Sequence, residues 1–140
     1  MSGETLRERV EGIVQEGTQV HDRGVDLTVA AVAVIEEPGR VDFGGDELGT
    51  ASFDRVPTEL RNVGDDYEWW YLTEGQYVIE YNEALTGPDP VWLQPRDALR
   101  ERGGSHPTVR IDELGPMPLS VSRGGVYLKE NARVSTLFGI

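Results

Sequence analysis

The chain has no cysteine at all. That excludes disulfides, thiolate metal sites and cysteine nucleophiles. It also excludes the zinc deaminase mechanism, whose metal is held by cysteines. Lysine is nearly absent: of 13 basic residues, only Lys129 is not arginine. Histidine occurs twice, at His21 and His106, with no partner at ligand spacing. No apolar run approaches the ~18 residues of a membrane helix. The first residues, MSGETLRERVEGIVQEG, mix charges and carry no secretory core. The motifs GxxxxGK[ST], GxGxxG, HExxH and GxSxG are all missing. These absences point to a cytoplasmic chain with no membrane span.

What is abundant is negative charge. Twenty-five acids face 13 bases, for a net charge of −12 over 140 residues. Such a surface repels nucleic acid. Arginine-for-lysine usage and acidity fit a GC-rich genome and a salt-rich cytoplasm, where acidic surfaces stay hydrated. The expected source is a halophile. Length implies one domain, 1–140. Counting glycine and leaving out tyrosine, about 46% of residues are apolar, the level of an ordinary globular domain.

Periodicity predicts an all-β fold. Val25 to Ile35, VDLTVAAVAVI, places Val25, Leu27, Val29, Ala31, Ala33 and Ile35 on one face. Val32 and Val34 lie on the other, so the strand is buried on both sides. Tyr67–Leu72 and Gln76–Tyr81, joined by Glu74-Gly75, read as a hairpin. Further strands are expected at 91–94, 108–112, 117–121, 125–129 and 132–138. Two short helices are predicted. One spans 4–16, from the spacing of Leu6, Val10, Ile13 and Val14. The other spans 95–103, opened by Pro95 and closed by Gly103. Seventeen glycines and eight prolines punctuate the strands at sandwich or barrel spacing.

Four short segments, in order, carry a resemblance. GVDLTVA at 24–30, PRDALRERG at 95–103, SHPTVRIDELG at 105–115 and ENARVSTLF at 130–138 resemble the four motifs of the dUTPase/dCTP deaminase superfamily. The resemblance covers residues 24–138. It implies a distorted β-barrel or jelly roll, assembled as a homotrimer with active sites between subunits. Members hydrolyse dUTP to dUMP and pyrophosphate, usually with Mg²⁺, or deaminate dCTP without zinc. Carried over residue by residue, it makes Asp112 the catalytic water-activating carboxylate. Arg96 and Arg133 become phosphate-binding groups, and Asp26 touches the metal through water.

Each residue also has a structural reading. Asp112 can simply open a turn before Glu113. Arg96 and Arg133 can serve as partners of acids or of another subunit. Asp26 can be held by a structural hydrogen bond. The departures from the family pattern are specific. Asp97 and Ala98 stand where two serines meet phosphate oxygens, and Asp97 is expected to repel a triphosphate without a cation. Glu101 takes the place of a second arginine. Ser120 takes the place of the deaminase catalytic glutamate, and Thr136 that of a glutamine. The tyrosine under the deoxyribose and the Gly-rich phosphate-covering arm have no counterpart before Ile140. Two readings follow: a divergent enzyme of deoxypyrimidine nucleotides, or a silent trimeric homologue that binds nucleotide or protein.

Overall fold

The computed structural model describes residues 3–140. In chain order the elements are α1 (Gly3–Arg7), β1 (Val10–Glu11), α2 (Glu16–Gln19), β2 (Val20–His21), β3 (Gly24–Glu37), β4 (Ser52–Arg55), β5 (Glu59–Leu60), β6 (Glu68–Leu72), β7 (Gly75–Tyr81), β8 (Ala84–Leu85), β9 (Val91–Pro95), α3 (Asp97–Arg100), β10 (Gly104–Ser105), β11 (Val109–Ile111), β12 (Met117–Val121), β13 (Val126–Lys129) and β14 (Arg133–Phe138).

β3 is the spine. Its first half pairs with β14, its middle with β7 and its end with β4, all antiparallel. The main sheet runs β10-β12-β7-β3-β14-β9-β11, with β2 and β4 as side pairs of β3. A three-stranded sheet, β13-β6-β5, closes over it. The result is a curled antiparallel half-barrel, the all-β class expected from the strand periodicity.

Two apolar clusters fill it. Val29, Val32, Ile79, Leu119 and Val134 pack with Trp70, Leu72, Val126 and Leu128 of the smaller sheet. Val25, Leu27, Val91, Leu93 and Leu137 pack with Leu6 and Val10 of the N-terminal segment. The pairing of β3 with β7 shifts register between Val29 and Ala31. That bulge breaks the strict alternation. Val29 and Val32 therefore meet in one cluster, although the period-2 pattern puts them on opposite faces. β3 is buried on both sides as expected, but only as far as Ala33, and Ile35 is exposed.

Three expectations are corrected. Residues 4–16 are not one helix. Gly12 adopts φ +81°, which ends helical geometry, and Val10 pairs with Leu85 as a strand. The second helix is only Asp97–Arg100, because Pro95 closes β9 and Arg96 is the cap residue. The 67–81 hairpin does not form. β6 pairs with β5 and β13, β7 with β3 and β12, and Gly75 at φ +153° lets the chain cross between sheets. Trp70 is buried with its indole N–H donating to the Val56 carbonyl. Trp69 faces outward between Arg61 and Lys129.

Candidate functional site

Three adjacent strands put the site together. Thr136 on β14 lies opposite Asp26 on β3 and opposite Gln94 on β9. Side chains in register on neighbouring strands stand about 5 Å apart. Arg133 enters three residues earlier on β14. Arg96 follows Pro95, and its backbone N–H donates to the Val134 carbonyl at 2.9 Å. His21 arrives from the tight β2–β3 turn, where His21 pairs with Gly24. A cavity of about 610 Å³ opens here, lined by His21, Asp26, Gln94, Arg96, Arg133 and Phe138, among others.

Asp26 sits at the floor, 2% exposed. Its Oδ1 accepts from Thr136 Oγ1 at 2.7 Å and lies 2.9 Å from His21 Nε2. Its Oδ2 accepts from Arg133 Nη1 at 3.0 Å and lies 3.4 Å from Arg96 Nε. A buried carboxylate needs such partners, and paired charge is what makes its burial tolerable. Arg96 also donates from Nη1 to the Arg133 carbonyl at 3.1 Å. The two guanidinium groups are thus fixed side by side, with their side chains 25% and 35% exposed toward the cavity.

Below this floor lies a polar layer. Glu83 is buried and accepts from the Thr28 N–H at 2.8 Å, Thr28 Oγ1 at 2.6 Å and Gln19 Nε2 at 2.8 Å. Gln19 Nε2 also donates to the Asp26 carbonyl at 2.8 Å. The N-terminal segment is thereby tied to the strand that carries Asp26.

On the other face of β14, Ser135 meets His106 and Tyr81. His106 Nδ1 faces the Pro107 carbonyl at 2.9 Å, which can only accept, so Nδ1 carries the proton. Nε2 then accepts from Ser135 Oγ at 2.7 Å, and Tyr81 donates to Ser135 Oγ at 2.6 Å. Burial holds the His106 pKa below its ordinary value and pushes the Tyr81 hydroxyl well above its own. This chain is a buried structural relay, away from the cavity.

Of the sequence-predicted site residues, Asp26, Arg96 and Arg133 come together. Asp112 does not join them. It is exposed on the bend after β11. Ile111 pairs with Val91, at the opposite end of β9 from Pro95. Four strand steps separate those ends, about 13 Å at ~3.3 Å per residue. Asp97 is turned outward to Arg100 at 2.8 Å, so its charge is offset. The sequence reading missed His21, Gln94 and Phe138. His21 was findable, because Val20 and Val25 flank a short turn that folds His21 back on Asp26.

The comparisons with known proteins bear on the family and the fold. No family model matches the chain. It is similar to a Methanosarcina mazei protein named "Probable deoxyuridine 5'-triphosphate nucleotidohydrolase", 30% identical over 135 residues, covering 91% of this chain and 75% of the relative. The chain belongs to the dUTPase/dCTP deaminase superfamily. An Archaeoglobus fulgidus relative of the same name is 28% identical over 150 residues, covering 98% of this chain and 84% of its own. A Halobacterium salinarum relative, also so named, is 33% identical over 100 residues, 69% of this chain and 57% of the relative. The crystal structure of 2'-deoxycytidine 5'-triphosphate deaminase from Agrobacterium tumefaciens shares the fold with a TM-score of 0.58 at 13% identity. That match covers 98% of this chain and 46% of the deaminase. Within the superfamily fold, the first, second and fourth motifs converge on one cavity, and the third lies apart.

The superfamily's metal can be tested against Asp26. Its oxygens accept three hydrogen bonds, from Thr136, His21 and Arg133, and Oδ2 also forms an ion pair with Arg96 Nε at 3.4 Å. Of the roughly four lone-pair sites of a carboxylate, three take hydrogen bonds, and two guanidinium cations already stand against the group. These residues do not fit a divalent cation. Among the described residues, no group of three or more His, Cys, Asp or Glu is placed to hold one.

Proposed function

We propose that the chain acts on deoxyuridine triphosphate, binding its phosphates at Arg96 and Arg133 and hydrolysing it to dUMP and pyrophosphate. The paired guanidinium groups in an open cavity carry this reading. Planar, doubly donating cations suit phosphate oxygens. Asp112 enters from a second copy, in a homotrimer whose sites lie between subunits. Its carboxylate orients a water and accepts a proton from it. The water oxygen bonds to the α-phosphorus as the bond to the bridging oxygen breaks, and pyrophosphate leaves with that electron pair. Arg96 and Arg133 offset the charge on the transferred group. Mg²⁺, in this reading, accompanies the triphosphate.

Ser120 favours hydrolysis over deamination. It stands where the resemblance places the deaminase glutamate, and it donates to Gln76 at 2.8 Å. A hydroxyl there cannot cycle protons for attack on a cytosine ring. A second reading, a silent trimeric homologue, draws on the placement of Asp112 and Arg96 beyond opposite ends of β9 within one chain. The net charge of −12 fits a salt-rich cytoplasm, with no nucleic-acid partner. Among the described residues, no helix is long and apolar enough to cross a membrane.

Incubation with dUTP and with dCTP at molar salt and Mg²⁺ tests the reading. The expected products are dUMP and pyrophosphate from dUTP, and none from dCTP. Release of dUTP from dCTP would reassign the chain as a deaminase. Binding of dUTP without turnover would leave the silent reading.

A further inference from the structure

The carboxylate that the family resemblance assigns to a metal has a different job in this chain. We infer that Asp26 is a positioning residue for the Arg96–Arg133 pair, and that this pair recognises phosphoryl oxygens with no protein-bound divalent cation. The inference rests on the nucleotide reading of the cavity and deepens it.

Asp26 Oδ2 accepts from Nη1 of Arg133 and forms an ion pair with Nε of Arg96, and the Arg133 carbonyl accepts from Nη1 of Arg96. Arg133 Nη1 also reaches the Thr18 carbonyl at 3.4 Å. These contacts hold both side chains against the floor, and both guanidinium groups line the cavity with donors beyond those the floor uses. Thr136 and His21 fix Oδ1, so the carboxylate cannot swing away. Two guanidinium groups flank a single carboxylate, so positive charge is in excess at that point of the floor. That sign attracts a phosphate and opposes a divalent cation. Asp22 and Asp97 stand at the rim, and Arg23 with them. Asp97 is already engaged by Arg100. Preorganised donors need no reorganisation when the anion arrives, which is where their affinity comes from.

The full chain at molar salt tests this with inorganic pyrophosphate and dUTP as probes. Calorimetry in EDTA and in Mg²⁺ should give pyrophosphate affinities within threefold of each other. Mn²⁺ added to the protein alone should keep the electron paramagnetic spectrum of the free ion. Arg96→Gln and Arg133→Gln should each weaken metal-free pyrophosphate binding at least tenfold. Asp26→Asn should broaden the Arg96 Nε–H resonance and weaken metal-free binding about tenfold. Stoichiometric Mn²⁺ binding that Asp26→Asn abolishes, or pyrophosphate binding seen only with Mg²⁺, would overturn the inference and leave the nucleotide reading intact. Metal-free affinity that stays level or rises in folded Asp26→Asn would show that the carboxylate only offsets charge, and would also overturn it. If Asp26→Asn does not fold, the parent Mn²⁺ and EDTA measurements still decide. No binding of pyrophosphate or dUTP under any condition would sink both readings.

Discussion

Asp26 and Thr136 are register partners across β3 and β14, and Thr136 Oγ1 donates to Asp26 Oδ1 over 2.7 Å. The family pattern has a glutamine at this position of the fourth motif. A threonine is short enough to bond the carboxylate directly, so it adds to the floor of the cavity instead of reaching across it. Thr136→Val removes that donor at nearly constant volume. A buried carboxylate then loses one partner, a loss of about 1–3 kcal/mol. Urea midpoints should fall accordingly, and Thr136→Ser should restore most of the difference. An unchanged midpoint for the valine variant would show that the bond contributes nothing.

Gly24 opens β3 where it crosses β14. A Cβ added there would lie 2.0 Å from the Leu137 carbonyl oxygen, a backbone atom. The strands would have to part, and they are the two that carry Asp26 and Thr136. Gly24→Ala should therefore cost about 3 kcal/mol or more. It should also weaken dUTP binding measured under folding conditions. Stability equal to the parent would mean that β3 and β14 separate freely at this end.

The sequence shows the strands of this fold far better than its helices. β9 and β11–β14 are legible because their apolar residues alternate or cluster between glycine and proline breaks. The N-terminal helix is misread because Leu6, Val10 and Ile13 keep helical spacing while lying in α1, in β1 and in the connection before α2. The hairpin at 67–81 is misread because turn chemistry at Glu74-Gly75 fixes a reversal but not which sheet each arm joins. In the site, Asp26, Arg96 and Arg133 are visible as parts of motifs. Their mutual pairing is not, since it depends on the β3-β14-β9 order, set by contacts far apart in sequence.

His106 gives the fold a pH dependence. Burial keeps its folded pKa below the ordinary value of about 6.5. As pH falls below that value, the unfolded chain takes up the proton first. Stability is therefore complete above about pH 6.5 and declines as pH drops toward the lowered folded pKa. One differential proton corresponds to at most about 1.4 kcal/mol per pH unit. Urea unfolding at pH 8, 7, 6 and 5.5 should show level stability down to 7 and a decline below. His106→Gln should flatten that decline. An equal slope in both proteins would assign the loss to carboxylates.

Two disabled variants should rescue each other. Arg96→Ala removes a phosphate-binding guanidinium from the cavity, and Asp112→Asn removes the base. Alone, the first should bind dUTP poorly, and the second should bind it without turnover. Within one chain the two positions lie beyond opposite ends of β9, whose four strand steps span about 13 Å. If each site takes its arginines from one copy and its carboxylate from the next, a trimer mixed from the variants contains some intact sites. Random 1:1 mixing after unfolding and refolding gives an arginine-bearing copy beside a carboxylate-bearing neighbour at about a quarter of the sites in a closed ring. Activity should recover to about that fraction of the parent. Light scattering at molar salt should report about three times 15.5 kDa for each variant and for the mixture. Low salt is a poor test of assembly, because subunits of charge −12 repel when unscreened. Mixed trimers of the right mass with no activity would show that Asp112 and Arg96 never share a site, and the hydrolytic role of Asp112 would fall with that result.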